Sequence, residues 1–173
     1  MKTIIYSALV CVVMSLMSCG KTKDTTSERL SAICVFNFSA ETQAGAATNS
    51  FTKTQTLDIS KLGSDYFIAR KDKINNVEVY AGELTITVDP GENCTIENLT
   101  ITAVGVAGSL VVPSFKISDM FITPSNIIEY TGAFVMKLVK DEVLVTVSGM
   151  TDAPAGTIIN IYYESYLMFT ISQ

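Results

Sequence analysis

The chain of 173 residues has no His, no Trp, four Cys, 17 Asp+Glu and 12 Lys+Arg. Without His there is no imidazole to act as general base, to activate a Ser or Cys nucleophile, or to bind zinc, iron or copper. Two thiols lie well beyond the N-terminal segment, Cys34 and Cys94. Neither has an activating His, so nucleophilic thiol chemistry is not expected. Carboxylates are the remaining acid–base groups. Asp89 and Glu92 flank a Pro-Gly pair, and Asp141-Glu142 sits at another junction. A glycosidase needs two carboxylates facing each other about 5–10 Å apart. Acids at turns are by default solvated surface groups instead. A calcium site at Asp89/Glu92 falls short of the ligand density of an EF-hand loop.

Binding chemistry fares better. The densest aromatic group is Tyr162, Tyr163 and Tyr166. In an extended strand Tyr163 takes one face, while Tyr162 and Tyr166 share the other. The latter two are a candidate platform for a sugar or a protein partner, unless a second layer covers them. A net charge of −5 argues against nucleic acid. There is no Gly-rich phosphate loop and no Cys-x-x-Cys, and no cofactor is expected.

These residues must be held by strands. Leu30–Phe38 alternates Ala32, Cys34, Phe36 and Phe38 against Ile33 and Val35, an interior strand apolar on both faces. Residues 39–50 read as a loop. Residues 51–59 carry Thr52, Thr54 and Thr56 on one face, a strand with a wet side. Residues 60–76 break the pattern, with Ser64 as candidate cap of a short helix containing Tyr66, Phe67 and Arg70. Leu84, Ile86 and Val88 then alternate up to Asp89-Pro90-Gly91, and residues 95–103 run back, which predicts a β-hairpin. Upstream, Ala81-Gly82 absorbs a phase slip, and a bulge is expected near Glu97-Asn98. Pro113 puts the 110–117 strand at an edge or bulge. Residues 127–139 show helical spacing after Ser125 or Asn126, with a strand over 133–139 as the competing reading. A strand follows from Val143, and Ile159–Ile171 is the longest alternation in the chain. The expected fold is mainly β: a single antiparallel β-sandwich of seven or eight strands with one or two short helices.

The N-terminus carries different information. Lys2 precedes an apolar run from Ile4 to Met17, too short to span a membrane and placed like a secretory signal. Leu16-Met17-Ser18-Cys19-Gly20 resembles the lipobox of bacterial lipoproteins, although Met17 is an unusual middle residue. The resemblance covers residues 1–20. It implies cleavage of the signal 1–18 and acylation of Cys19. Gly20 in place of Asp implies an outer-membrane address in Gram-negative members. The polar tether that follows, taken as residues 19–29, resembles that of surface-exported lipoproteins of Bacteroides-type bacteria. Removing residues 1–18 leaves 155 residues with a net charge of −6 and about 45% apolar residues, ordinary for a globular domain. Asn37, Asn93 and Asn98 match glycosylation sequons, coincidental in such a protein.

An envelope location permits a disulfide between Cys34 and Cys94, the alternative being two separate buried thiols. The expected function is a lipid-anchored envelope module, formed by residues 30–173, that binds rather than catalyses. It would be adhesin-like, glycan-related or complex-forming, with an unknown protein or glycan partner. A carrier of a lipid or apolar ligand and a strand-donating subunit of a surface fibre are the alternatives.

Overall fold

The computed structural model describes residues 27–62, 65–89, 93–117 and 122–172. The signal segment, Cys19 and the tether up to residue 26 lie outside these residues. So do the Ser64 cap, the Pro90-Gly91-Glu92 turn and residues 118–121.

Among the described residues eight strands form one antiparallel sheet: β1 (Ser27–Gln43), β2 (Asn49–Leu57), β3 (Ile74–Asp89), β4 (Thr95–Ala103), β5 (Leu110–Val112), β6 (Phe115–Lys116), β7 (Val143–Thr151) and β8 (Ile158–Ser172). Two helices accompany them, α1 (Asp65–Arg70) and α2 (Ile127–Lys140), with 3-10 turns at Ile59–Leu62 and Lys71–Lys73. The strand order is β3-β8-β1-β2-β7-β4-β5, with β6 paired to β4. The strands β1 and β2 pair only at Thr42↔Phe51 and Gln43↔Ser50. There the sheet curls, so that Phe38 and Tyr163 of one half meet Ile101 and Val145 of the other. The result is the expected β-sandwich.

The two long alternations behave as their patterns require. In β8, Ile159, Ile161, Tyr163, Leu167, Phe169 and Ile171 are buried. It lies between β3 and β1, paired along its whole length. In β1, Ala32, Cys34, Phe36 and Phe38 are buried while Ile33 and Val35 are half-buried. The register slips between Val79 and Ala81, and again between Glu97 and Thr100. At the second slip Asn98 takes φ 54°, a left-handed conformation that Asn tolerates. The 110–117 strand is cut in two at Pro113-Ser114, and its first part, β5, ends the sheet.

Three expectations need correction. Strands β3 and β4 do not form a hairpin: β3 is one edge of the sheet and pairs with β8, whereas β4 pairs with β7 near the other edge. A tight turn reverses the chain, but it does not decide whether the returning strand stays in plane or crosses to the opposite layer. The loop is shorter than 39–50, because β1 continues to Gln43 and β2 begins at Asn49. Thr42 is buried there: its Oγ1 donates to the Pro154 carbonyl (2.6 Å) and accepts from the Thr157 amide (2.9 Å). The tether is shorter than 19–29, since Ser27, Glu28 and Arg29 already pair with Ser172, Ile171 and Thr170. Of the two arrangements open to Cys34 and Cys94, the structure has the two separate buried thiols. Cys34 lies opposite Ser165 in the β3-β8-β1 half, and Cys94 precedes β4 in the other half.

The ambiguous segment 127–139 is helical. Ile127, Tyr130, Thr131, Phe134, Val135, Leu138 and Val139 are buried on one stripe of α2. A strand would have put Lys137 on the same face as Val135 and Val139. At Gly132 the helix runs beside β3: a Cβ there would stand 3.7 Å from Val79 Cγ2, an ordinary van der Waals contact. Asn126 occupies the cap position, but its side-chain amide donates to the Ser109 carbonyl (2.9 Å) instead of accepting from the helix. Helix α2 thus spans from β3 to the 105–109 turn, where Gly105 faces the Lys137 side chain.

Candidate binding face

Strand β8 presents two chemically distinct faces. The inner one packs against α2. The Phe134 ring meets Phe36 edge-on at 5.2 Å, and Phe36 lies 6.0 Å from Tyr163. The Tyr163 hydroxyl bonds to Thr131 Oγ1, which also donates to the Ile127 carbonyl. Tyr130 is buried nearby, and its hydroxyl has no hydrogen-bond partner among the described residues. The side chains around it, including Phe38, Phe134 and Tyr163, leave no room for a water molecule. Burial pushes the Tyr130 phenol up to about 12, helped by the neighbouring Tyr163. Burial likewise raises Tyr163 to about 12, against the pull of its Thr131 bond.

Both phenols ionise at lower pH in the unfolded chain, near 10, than in the folded one. Their contribution to stability is complete below about pH 10 and is lost as pH rises towards 12. Unfolding by urea at a series of alkaline pH values is expected to show this fall. Tyr130→Phe should make the fall shallower and, by deleting a buried unpartnered hydroxyl, add about 1 kcal/mol at neutral pH. A wild-type urea midpoint that stays constant up to pH 12 contradicts the assignment.

The outer face of β8 carries Tyr162, Glu164 and Tyr166 in succession. Tyr166 is 42% exposed and Tyr162 half-buried. Helix α2 takes the opposite face and leaves them uncovered by that segment. The two tyrosines stand about 13 Å apart along the strand, with Glu164 midway. Cross-strand neighbours complete the surface. Tyr162 lies between Asn37 and Thr85, Glu164 between Val35 and Glu83, and Tyr166 between Ile33 and Ala81. The Tyr166 hydroxyl bonds to the Glu164 carboxylate, which holds its phenol above the usual range. The charges of Glu164 and then Glu83 add to this.

A second concavity, of about 400 Å³, lies at the C-terminal end of α2. Ile59, Ile68, Leu138 and Val139 contribute its apolar lining, and Asp58, Lys71, Lys140 and Asp141 its charged part. Lys137 Nζ bonds to Asp141 at 2.6 Å. That bond, the Lys137 charge and then the charges of Lys71 and Lys140 hold the Asp141 carboxyl below its usual range. The lysines sit where the helix dipole favours cations, so the arrangement is what a helix C-terminus requires. Among the described residues no three His, Cys, Asp or Glu side chains converge as a metal site.

The sequence singled out Tyr162 and Tyr166 through their shared parity. It missed Glu83, whose place opposite Glu164 depends on which strand pairs with β8.

No family model matches this chain, and no curated relative does. Solved structures with some likeness include viral ones. The decameric BFDV capsid protein is 9% identical, with 83% of this chain and 99% of that one covered, at a TM-score of 0.36. Mud crab tombus-like virus is 7% identical over 94% of this chain and 89% of the other, at 0.38. The empty head of turnip yellow mosaic virus is 8% identical over 94% and 89%, at 0.32. Overlap this slight has no bearing on function.

Proposed function

We propose that this protein is a lipid-anchored module of the bacterial envelope that docks a partner on the outer face of β8 and performs no catalysis. One observation carries the docking part: Tyr162 and Tyr166 remain uncovered by α2, which packs against the other face. Tyrosine supplies broad contact area at low entropic cost and keeps a polar tip for hydrogen bonding. The motif Leu16-Met17-Ser18-Cys19 supports the anchor.

The alternatives draw less support. A lipid carrier would need α2 to move aside, because the space beneath it is filled. A fibre subunit that donates its last strand would have to withdraw β8 from two neighbours at once.

A photo-crosslinking amino acid placed at position 166 tests the docking reading in the producing cell. A discrete adduct is expected from position 166 and none from Thr54, an exposed residue of β2 in the other half of the sheet. Adducts from Thr54 alone refute the assignment of the face.

A further inference from the structure

We propose that the outer face of β3, β8 and β1 docks a basic polypeptide segment, seating a lysine or arginine side chain over Glu83 and Glu164 between Tyr162 and Tyr166. The inference rests on the docking reading and adds the chemistry of the partner.

The first support is the register. Glu83 and Glu164 are direct Cα partners on adjacent antiparallel strands. Side chains in such pairs stand about 4.5–5.5 Å apart at Cβ, and like charges placed there oppose folding. Both residues are half-buried, so the sheet holds two carboxylates side by side without full access to solvent. Among the described residues neither is in an ion pair. A cation bridging them removes the repulsion and gains two charge-assisted contacts.

The second support is what flanks the pair. Each tyrosine stands two residues from Glu164 along β8, about 6.6 Å away. An ammonium or guanidinium lowered onto the carboxylates has a tyrosine two residues away on either side. Either ring is close enough to turn its face to the cation once bound. Tyr166 already reaches Glu164 with its hydroxyl. Val35 and Ile33 of β1, both half-buried, offer apolar area for the methylene stem of the same side chain.

The third support is charge complementarity over the whole face. It carries Glu41, Glu78, Glu83, Asp89 and Glu164 against one cation, Arg29. Arg29 is already committed, with Nη2 2.6 Å from the Glu78 carboxylate. The face therefore keeps a strong negative excess that steers a basic partner towards it. The acids are spread along three strands, which favours an extended polypeptide over a small cation.

The test is a titration of the purified chain with a decalysine peptide, read by calorimetry and by amide chemical-shift mapping. Saturable binding is expected at low salt, weaker at high salt, with shifts concentrated on β3, β8 and β1. The double variant Glu83→Gln/Glu164→Gln is near-isosteric and loses the repulsion, so it should fold at least as stably as wild type. It should bind at least about tenfold more weakly. Tyr162→Ala/Tyr166→Ala should also weaken binding. Glu129→Gln, an exposed acid on α2, should change it less than about threefold. The proposal is overturned by absence of binding, by shifts centred on another face, or by equal weakening from Glu129→Gln. A crosslinked partner at position 166 whose contacting segment is acidic or neutral overturns it too, and leaves the docking reading intact.

Discussion

In cells given labelled palmitate, the Cys19→Ala protein is expected to carry no label, while wild type and Cys11→Ala carry it fully. The expectation follows from residues 16–20. Leu16 stands three positions before Cys19, Ser18 is small, and an apolar run ends at Met17, the pattern of a lipoprotein signal. Cys11 lies inside that run with Val10 before it, and the pattern does not select it. The energetic consequence is large. A single acyl chain gives marginal, reversible attachment, whereas two or more give a stable anchor, at about 0.8 kcal/mol for each buried methylene. Loss of acylation also blocks processing, so the variant should keep its leader and migrate as the larger precursor. The label is the decisive reading, because an uncleaved apolar run can itself hold a chain at a membrane. Label retained by Cys19→Ala, or absent from wild type, ends the lipoprotein reading.

Phe36→Ala should lower unfolding free energy by about 3–5 kcal/mol, among the most damaging single truncations in the domain. Phe36 is 2% exposed and stands where three elements meet. It belongs to β1, pairs across the strand with Tyr163 of β8, and takes the edge of Phe134 from α2. Removing the ring opens a void that β1 cannot close, because it is fixed to β8 by a register running from Ser27 to Glu41. In a chain of this length the loss corresponds to a fall in Tm of roughly 10 °C. Ile128→Ala, on the exposed side of the same helix, should change stability by less than about 0.5 kcal/mol. Urea unfolding of the two variants beside wild type measures the contrast. Equal midpoints for all three would mean that α2 does not pack through Phe36.

Local periodicity made much of the framework readable. The alternation of β8 named its buried residues before any partner was known, because a pleated strand sends successive side chains to opposite faces. The irregularity at Glu97-Asn98 was legible for the same reason, as a break in a period of two. So was a slip before Leu84, although it falls between Val79 and Ala81 rather than at Ala81-Gly82. The segment 127–139 was not, since Thr131-Gly132 weakens a helix by propensity and only packing overrides it. Its burial stripe exists because β3 and β8 offer Val79 and Tyr163 as neighbours. Nor was the fate of Cys34 and Cys94 legible, because two thiols reveal nothing about which halves of a sheet they occupy.

The sequence by itself determined the fold class, the alternating faces of β1 and β8, the lack of imidazole chemistry and a lipobox-like N-terminus. All of these depend on composition or on neighbours within a few residues. Only the tertiary structure decided that β3 lies beside β8 rather than β4, that α2 takes the inner face of β8, and that Glu83 stands opposite Glu164. A strand's edge bonds to any strand brought alongside it. The pairing is therefore chosen by how the whole curled sheet buries its apolar faces, and residues 81 positions apart become neighbours only once that choice is made.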